Sequence, residues 1–385
     1  MTLRYLGTLA GLSLLLGLAA CDKDKDIDPP AELVDVRETV KVERLWSEGL
    51  GDEGEKLYLA LGLTVEGGTL YAAARDGVVV AIDPQTGRNR WRTDTKVPLA
   101  AGPGAGGGLV IVGTNDGEVV ALDAASGTRR WKVQVSGEVL AAPLIVGDRV
   151  VVRTVDGRLR ALNASDGKEL WTVEEQVPRL SLRGTGPPVS AGEAVLCGFD
   201  TGKLVAASLA TGETLWQTQV STPRGRTELE RLADLDAAVQ VSGNDIYAVG
   251  FQGRLAMLGL DTGQIWWGRD VSSYRALALD DDQIYVSDSN GSVLALRRRD
   301  GSAVWQQDGL LRRKLSQPAT LDGIVAVGDF EGYLHFLDRG TGTFVAREHT
   351  ANGQITTLLA SDGRLFALDE GGKLVAYRIG GKSGG

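Results

Sequence analysis

Short apolar runs, each bounded by glycine-containing turns, recur along most of the chain. Val78–Ile82 and Leu109–Val112 are typical: each holds four or five apolar residues, most of them β-branched, and a glycine lies close to both ends. Such runs have the length and residue types of buried strands. The pattern therefore predicts an all-β fold.

The runs belong to a repeat of about 40 residues. Its clearest copy runs from Ala81 to Gly87 with Trp91 following, and the later copies end at Gly127, Gly167, Gly212, Gly263, Gly301 and Gly342. A second glycine stands ten residues before each of these, from Gly77 to Gly332. Glycine takes the positive φ of hairpin turns, so each repeat has room for four short strands. Four strands per repeat predict the blades of a β-propeller.

The two ends of the chain each carry part of a further blade. An eighth repeat, Gly372–Tyr377, ends before any fourth strand, whereas Val42–Trp46 reads as a fourth strand with no blade in front of it. Pairing the two would close the ring and remove its open edge. The sequence thus predicts one eight-bladed propeller of four-stranded blades over residues 41–380, in which the repeated tryptophans pack between blades. The run Gly102–Gly107 is predicted to be a blade turn, because the strand that follows it is not the helix that a dinucleotide loop requires.

The N-terminal region has the pattern of a targeting segment. Arg4 precedes an apolar run, Leu6–Leu18, which is too short to span a membrane comfortably. Leu18–Cys21 resembles the lipobox of bacterial lipoproteins, which implies a signal peptide over residues 1–20 and lipidation of Cys21, by palmitate among other acyl chains. Residues 21–40 begin with alternating charges and are predicted to form a flexible tether. The alternative is an ordinary signal peptide that happens to end near a cysteine.

Composition and charge narrow the function further. The net charge is −9, and phosphate backbones demand clustered cations, so nucleic acid is not a predicted partner. The chain has two histidines and two cysteines, all far apart, which disfavours a zinc site or a catalytic triad. Cys197 ends an apolar run and is expected to be a buried strand residue. No catalytic residue, metal site or cofactor is predicted.

Two long connections break the regular spacing of the repeats. Successive repeat glycines lie 45 and 51 residues apart around Gly212, and the extra residues follow Trp171 and Trp216. Both connections leave the same face of a propeller, on adjacent blades, and contain leucines, an arginine and acids within 177–184 and 227–236. A short helix is expected near Thr227, which fits a capping box. The pair forms a predicted protein-binding patch; the alternative is that they only cap the central channel.

The repeat phrase Ala-x-Asp-x-x-Thr-Gly-x-x-x-Trp resembles that of quinoprotein alcohol dehydrogenases, which are eight-bladed propellers. This resemblance keeps a periplasmic quinone-dependent dehydrogenase open as an alternative function. Those enzymes are longer and use adjacent cysteines, which this chain does not have. The repeat alone therefore indicates shared blade packing, and the chain is not predicted to be an enzyme.

A second resemblance covers the whole chain after the leader. The lipobox, the eight blades, Leu180–Gly184, Arg231–Asp236 and Val327–Leu334 together resemble the BamB family, the propeller lipoproteins of the outer-membrane β-barrel assembly machinery. It implies a non-catalytic scaffold, anchored by lipid at the periplasmic face of the outer membrane, that aids folding and insertion of outer-membrane proteins, with unfolded clients as further partners. The partner it implies is the central barrel subunit, BamA, through its POTRA domains. The contact residues carried over by motif are Leu180, Leu182, Arg183, Asp234 and Asp236. Asp22 resembles an inner-membrane retention signal, which leaves that location open.

Overall fold

The computed structural model describes residues 28–51, 60–178, 180, 185–222, 226–227 and 232–382. Within these ranges every regular element is a β-strand, which confirms the all-β prediction. No helix in this part of the chain is long and apolar enough to cross a membrane. Cys21 and residues 1–20 lie outside the described ranges.

The strands form eight antiparallel blades, and in seven of them four consecutive strands run from the inner to the outer edge. Blade 1 holds β3 (Leu63–Glu66), β4 (Thr69–Ala73), β5 (Val78–Ile82) and β6 (Asn89–Asp94); blade 2, β7 (Ala101–Gly106), β8 (Leu109–Gly113), β9 (Glu118–Asp123) and β10 (Arg129–Gln134); blade 3, β11 (Leu144–Val146), β12 (Arg149–Thr154), β13 (Arg158–Asn163) and β14 (Glu169–Glu174); blade 4, β15 (Val189–Ala191), β16 (Ala194–Gly198), β17 (Lys203–Ser208) and β18 (Thr214–Gln219); blade 5, β19 (Gln240–Ser242), β20 (Asp245–Val249), β21 (Leu255–Gly259) and β22 (Ile265–Arg269); blade 6, β23 (Ala278–Leu279), β24 (Gln283–Ser287), β25 (Val293–Arg297) and β26 (Ala303–Gln307); and blade 7, β27 (Ala319–Leu321), β28 (Ile324–Gly328), β29 (Tyr333–Asp338) and β30 (Phe344–His349). A two-residue strand, β2 (Ala60–Leu61), pairs in parallel with β7.

Blade 8 is assembled from both ends of the chain, as predicted. It contains β31 (Ile355–Ser361), β32 (Arg364–Asp369), β33 (Lys373–Lys382) and, as its outer strand, β1 (Val40–Gly49). β1 and β33 are antiparallel, with Trp46 opposite Ala376. The N-terminal strand therefore covers the outer edge that β33 would otherwise expose.

The repeated tryptophans join each blade to the next. Trp131 lies in β10, the outer strand of blade 2. Its indole N–H donates to the Ala164 carbonyl of blade 3 at 2.7 Å. Its ring lies against Gly167, where a β-carbon would come within 2.9 Å of the ring and where φ is +74°. Glycine is thus required both for its positive φ and for the close approach of the ring. The same tryptophan–glycine contact recurs at seven blade junctions: Trp46–Gly87, Trp91–Gly127, Trp131–Gly167, Trp171–Gly212, Trp216–Gly263, Trp267–Gly301 and Trp305–Gly342.

The junction between blades 7 and 8 is built differently. Ala346 stands in the tryptophan position of blade 7, and the residue opposite it on β29 is Phe336. In blade 6 the equivalent pair is Ala295 and Trp305, with the large residue on the other strand. Phe336 is fully buried, so the large side chain has moved from the outer strand to its neighbour. The packing volume of the blade is preserved in part by this exchange.

The glycine-rich run 102–107 is a strand up to Gly106 and only Gly107 lies in a turn, so the expectation of a blade turn is wrong for most of the run. It forms most of β7, the inner strand of blade 2. A β-carbon on Gly104 would lie 1.9 Å from the Pro143 carbonyl oxygen of the neighbouring connection. The glycines serve close approach between two blades, which the sequence pattern alone does not distinguish from turn formation.

Candidate docking surface

The two long connections lie on one face of the ring. Every connection from an outer strand to the next inner strand emerges there, together with the turns between second and third strands; we call this the upper face. The first long connection joins β14 to β15 and the second joins β18 to β19, so they flank blade 4 on its two sides. This placement agrees with the positions expected from the repeat spacing.

The connections meet over blade 4. A β-carbon at Gly186, in the first connection, would lie 2.6 Å from the Leu235 carbonyl oxygen of the second, and one at Gly198, at the end of β16, would lie 2.3 Å from that same oxygen. Backbone therefore packs directly on backbone at both glycines. The Leu235 N–H faces the Phe199 carbonyl at 3.4 Å, and the Phe251 N–H of blade 5 donates to the Asp234 carbonyl at 3.0 Å. The second connection is thus held between blades 4 and 5.

Of the five predicted contact residues, three lie in the described ranges. The side chain of Leu180 is exposed, with 44% of its surface accessible, and Val177 of the same connection is 43% exposed. Leu182 and Arg183 lie outside the described residues. Residues 228–231, where most of the expected short helix would fall, also lie outside them. Residues 232–236 are described and are not helical. An exposed leucine and an exposed valine on one loop offer apolar surface that a partner can desolvate.

The two acids point into the protein. Asp234 is 1% exposed and Asp236 is partly buried, and both belong to a charged cluster with Asp200 and Arg153. Arg153 extends from β12 of blade 3, and its Nη2 lies 3.4 Å from Oδ1 of Asp200 in the β16–β17 turn. Its guanidinium also stacks on the Phe199 ring, 4.4 Å from the centroid. We call Arg153, Asp200, Asp234 and Asp236 the acid cluster.

The acid cluster has more negative than positive groups. Burial, together with the neighbouring carboxylates of Asp200 and Asp234, raises the pKa of Asp236 to about 8 against the opposing charge of Arg153. Burial also raises the pKa of Asp200, although Arg153 lowers it. The Asp236 Oδ1 atom has no hydrogen-bond partner among the described residues. An added guanidinium or ammonium group would therefore be favoured at this position.

The described residues offer no metal centre here or elsewhere. No three His, Cys, Asp or Glu side chains within the described ranges are arranged to hold a metal ion. Cys197 is fully buried in β16, as expected, and burial raises the pKa of its thiol to about 12. A thiol in that state is not a nucleophile.

Sequence reasoning missed Arg153 and Asp200. Arg153 ends an apolar run, Val150–Val152, at a position where neighbouring blades carry Gly113 and Gly198. A charged residue at a glycine position of the second strand was the available signal. Its partner Asp200 lies in a turn where acids are ordinary, two residues before Gly202, and its position alone does not indicate burial.

The chain is similar to known proteins in both sequence and structure. A family model described as outer membrane protein assembly factor BamB matches residues 43–103 and 75–307. A protein of that description from Pseudomonas aeruginosa is 46% identical over 370 residues, covering 96% of this chain and 97% of the relative. The crystal structure of BamB from Moraxella catarrhalis is similar with a TM-score of 0.81 at 28% identity, covering 88% of this chain and 100% of that one. Quinohemoprotein alcohol dehydrogenase from Comamonas testosteroni has a TM-score of 0.68 at 15% identity over 89% of this chain and 77% of that one, a likeness that concerns the fold alone.

Proposed function

The chain belongs to the BamB family of outer membrane protein assembly factors, as its sequence resemblance implied, and from that premise we propose that it is a non-catalytic scaffold lipoprotein of the outer-membrane β-barrel assembly complex. It docks on the POTRA region of the central barrel subunit, BamA, and aids folding and insertion of outer-membrane proteins. Unfolded clients are its further partners.

The observation that carries this proposal is the meeting of the two long connections over blade 4. The first connection presents Leu180 at the surface, and the second contributes the buried Asp234 and partly buried Asp236 to the acid cluster. Arg183 belongs to the first connection, and when the partner is bound its guanidinium would donate to the Asp236 Oδ1 atom, which is unpartnered among the described residues, and favour the ionised carboxylate. In this arrangement Leu180 and Leu182 are the apolar anchors, Arg183 is the polar contact, and Asp234 and Asp236 orient it from below.

The location follows from the anchor. Lipidation of Cys21 would attach the propeller to a membrane on its periplasmic side, and the family description favours the outer membrane. Asp22 keeps retention at the inner membrane as the competing outcome. Incorporation of labelled palmitate in the wild type and its absence in Cys21→Ser would test the anchor, and fractionation of the two membranes would test the sorting.

The dehydrogenase alternative has little support. The solved quinoprotein that the chain resembles is 15% identical, and that degree of likeness is expected from blade packing alone. No cluster of ligating side chains in the described ranges favours it. The scaffold is therefore the function that the surface fits best.

Binding to the solubilised barrel subunit tests the docking surface. Arg183→Ala should weaken binding by about 30-fold, since truncating a hot-spot residue typically costs about 2 kcal/mol or more. Leu180→Ala should weaken it too, and Lys314→Ala is the matched control because Lys314 is an exposed cation of the upper face, away from blade 4. Wild-type affinity in both Arg183→Ala and Leu180→Ala, with unchanged melting, would remove this surface from the proposal.

A double-mutant cycle tests the role of the acids. If Asp236 orients Arg183, the losses from Arg183→Ala and Asp236→Ala should be non-additive by about 0.5–3 kcal/mol. Additive losses would mean that Asp236 acts independently of Arg183.

A further inference from the structure

Residues 28–39, part of the predicted tether, follow the outside of the propeller. At their upper end the Ala31 N–H donates to the Leu311 carbonyl at 2.9 Å. Arg312 also binds the segment, because its Nε donates to the Pro29 carbonyl at 2.7 Å. These partners lie in the connection between blades 6 and 7, which belongs to the upper face. The segment is therefore bonded to the rim of that face at its first described residues.

A buried arginine strengthens the upper contact. Arg313, 3% exposed, donates from Nη1 to the Ala31 carbonyl at 3.1 Å. Its own position is set by Asp329, at 2.7 Å from its Nε, and by Glu331. The guanidinium also lies over the Phe330 ring, 5.2 Å from the centroid. Because this arginine is already held by the fold, little side-chain entropy is lost when it binds the segment.

The middle of the segment is bonded to blade 7 in the same way. Arg347 of β30 donates from Nη1 to the Val34 carbonyl at 2.6 Å and from Nε to Nδ1 of His335 at 3.1 Å. His335 is fully buried, and its Nε2 lies 3.0 Å from Asp329. Since Nδ1 accepts from Arg347, Nε2 carries the proton and donates to Asp329. Arg347 and Arg313 are thus both fixed by Asp329, one through His335 and the other directly.

The lower part covers the outer edge of blade 7. The Thr39 N–H donates to the Val345 carbonyl of β30 at 2.9 Å. Leu33 packs on the buried cluster shared by blades 6 and 7, and the next residue after Thr39, Val40, is buried beside Val345 and Ala346. Val40 thus lies at the junction of blades 7 and 8, which has Ala346 in place of the interblade tryptophan. The segment therefore runs from the upper rim across the open edge of β30 and into β1.

We propose that residues 28–39 are a strap that fixes the exit point of the lipid anchor at the upper rim beside blades 6 and 7, and that this rim faces the lipid surface. The inference rests on lipidation of Cys21 in the proposed function. From Cys21 to Asp28 a fully extended chain spans at most about 25 Å, whereas one free up to Val40 would reach about 70 Å. The strap thus holds the upper face near the membrane, with the docking surface on that same face, two blades away.

The orientation of the upper face relative to the membrane can be measured on the full-length lipidated protein in vesicles of phosphatidylethanolamine and phosphatidylglycerol. Asn290→Cys places a fluorophore on the upper side of blade 6 and Arg299→Cys places one on its lower side; both positions are exposed. The native thiol Cys197 is fully buried and does not compete. Energy transfer to headgroup acceptors should be at least about twofold greater from position 290 than from 299. Equal transfer from both positions would overturn the proposal.

Two glycine–serine replacements distinguish the effect of the strap on orientation from that of the rest of the tether. Replacing residues 29–38 with glycine and serine, at constant length, should abolish the difference between the labels. The same replacement of residues 22–26 should leave it unchanged. Unchanged transfer after replacing 29–38 would mean that the strap does not set the orientation.

Hydrogen exchange distinguishes failure of the strap from failure of the anchor. In the full-length protein in detergent, the amides of Ala31 and Thr39 should exchange at least about tenfold more slowly than free amides, because both are hydrogen-bonded. Exchange at the free rate would refute the strap itself. Protected amides together with an unmodified Cys21 would instead refute the anchor, and with it the membrane-facing role of this rim.

Discussion

Replacing Asp236 with asparagine is predicted to stabilise the protein, although the residue lies in the proposed docking surface. The pKa of Asp236 rises from 3.8 to about 8 on folding, because the carboxyl is buried beside Asp200 and Asp234. The folded state thus binds this proton more tightly than the unfolded state. The free energy of unfolding must then fall as pH rises from about 4, and the full loss is reached above about pH 8.

The magnitude follows from the size of that shift. Each pH unit between the two pKa values costs the folded state about 1.4 kcal/mol, so about three units separate pH 4 from pH 7 and the cost at pH 7 is at most about 4 kcal/mol. Asparagine has the same shape and does not titrate. Asp236→Asn should therefore match the wild type near pH 4 and exceed its stability progressively up to pH 8.

Urea unfolding at pH 4, 6 and 8 measures this difference directly. The midpoint of the variant should separate from that of the wild type as pH rises, with similar m-values. Asp123→Asn is a control of opposite sign, since hydrogen bonds from Arg130 and Ser126 lower the pKa of Asp123 to about 2. That change should destabilise the protein at pH 7, and only modestly, because Asn163 occupies the equivalent turn of blade 3 and bonds Ser165 there. A constant difference between Asp236→Asn and wild type at all three pH values would refute the account of the acid cluster.

Three further outcomes are expected. Deleting residues 41–50 should lower the melting temperature of the whole ring by exposing the edge of β33, whereas deleting 22–27 should leave it unchanged; equal melting of the two truncations would contradict ring closure through β1. Phe336→Ala should cost about 3–5 kcal/mol in urea unfolding, because the side chain is fully buried and the alanine opposite, Ala346, cannot fill the cavity; a loss under about 1 kcal/mol would contradict the proposed exchange of large and small residues. Pyrroloquinoline quinone with calcium should not raise the melting temperature, since a ligand stabilises only a protein that binds it; a saturable rise would favour the dehydrogenase alternative.

The architecture was predictable because local and global signals coincide in this chain. The paired glycines, ten residues apart, take positive φ in the structure, at +79° for Gly117 and +71° for Gly127. Each pair therefore reports two turns of fixed geometry, and the strands between them follow. The tryptophan position was equally informative, since a large aromatic residue repeated at one place must pack against a repeated neighbour.

The acid cluster and the strap were not predictable to the same degree. The sequence placed Asp234 and Asp236 in a long loop, and loops are normally solvent-exposed. Their burial depends on the approach of the Leu235 backbone to Gly186 and Gly198, which are distant in sequence. The strap belongs to the segment that was predicted to be a flexible tether. The groups that bind it are backbone carbonyls of the propeller and arginines distant in sequence. Neither partner leaves a periodic signal in the segment itself.

Closure through β1 also sets an order of events during biogenesis. Glu43 and Arg378, bonded at 2.7 Å, are 335 positions apart in the sequence. Because the chain is synthesised from its N-terminus, β1 is made first and its partner β33 is made last. The ring therefore cannot be completed before the carboxyl end has been synthesised, and a chain truncated there retains an unpaired strand at each end of its blade array. The last blade therefore closes only on a full-length chain.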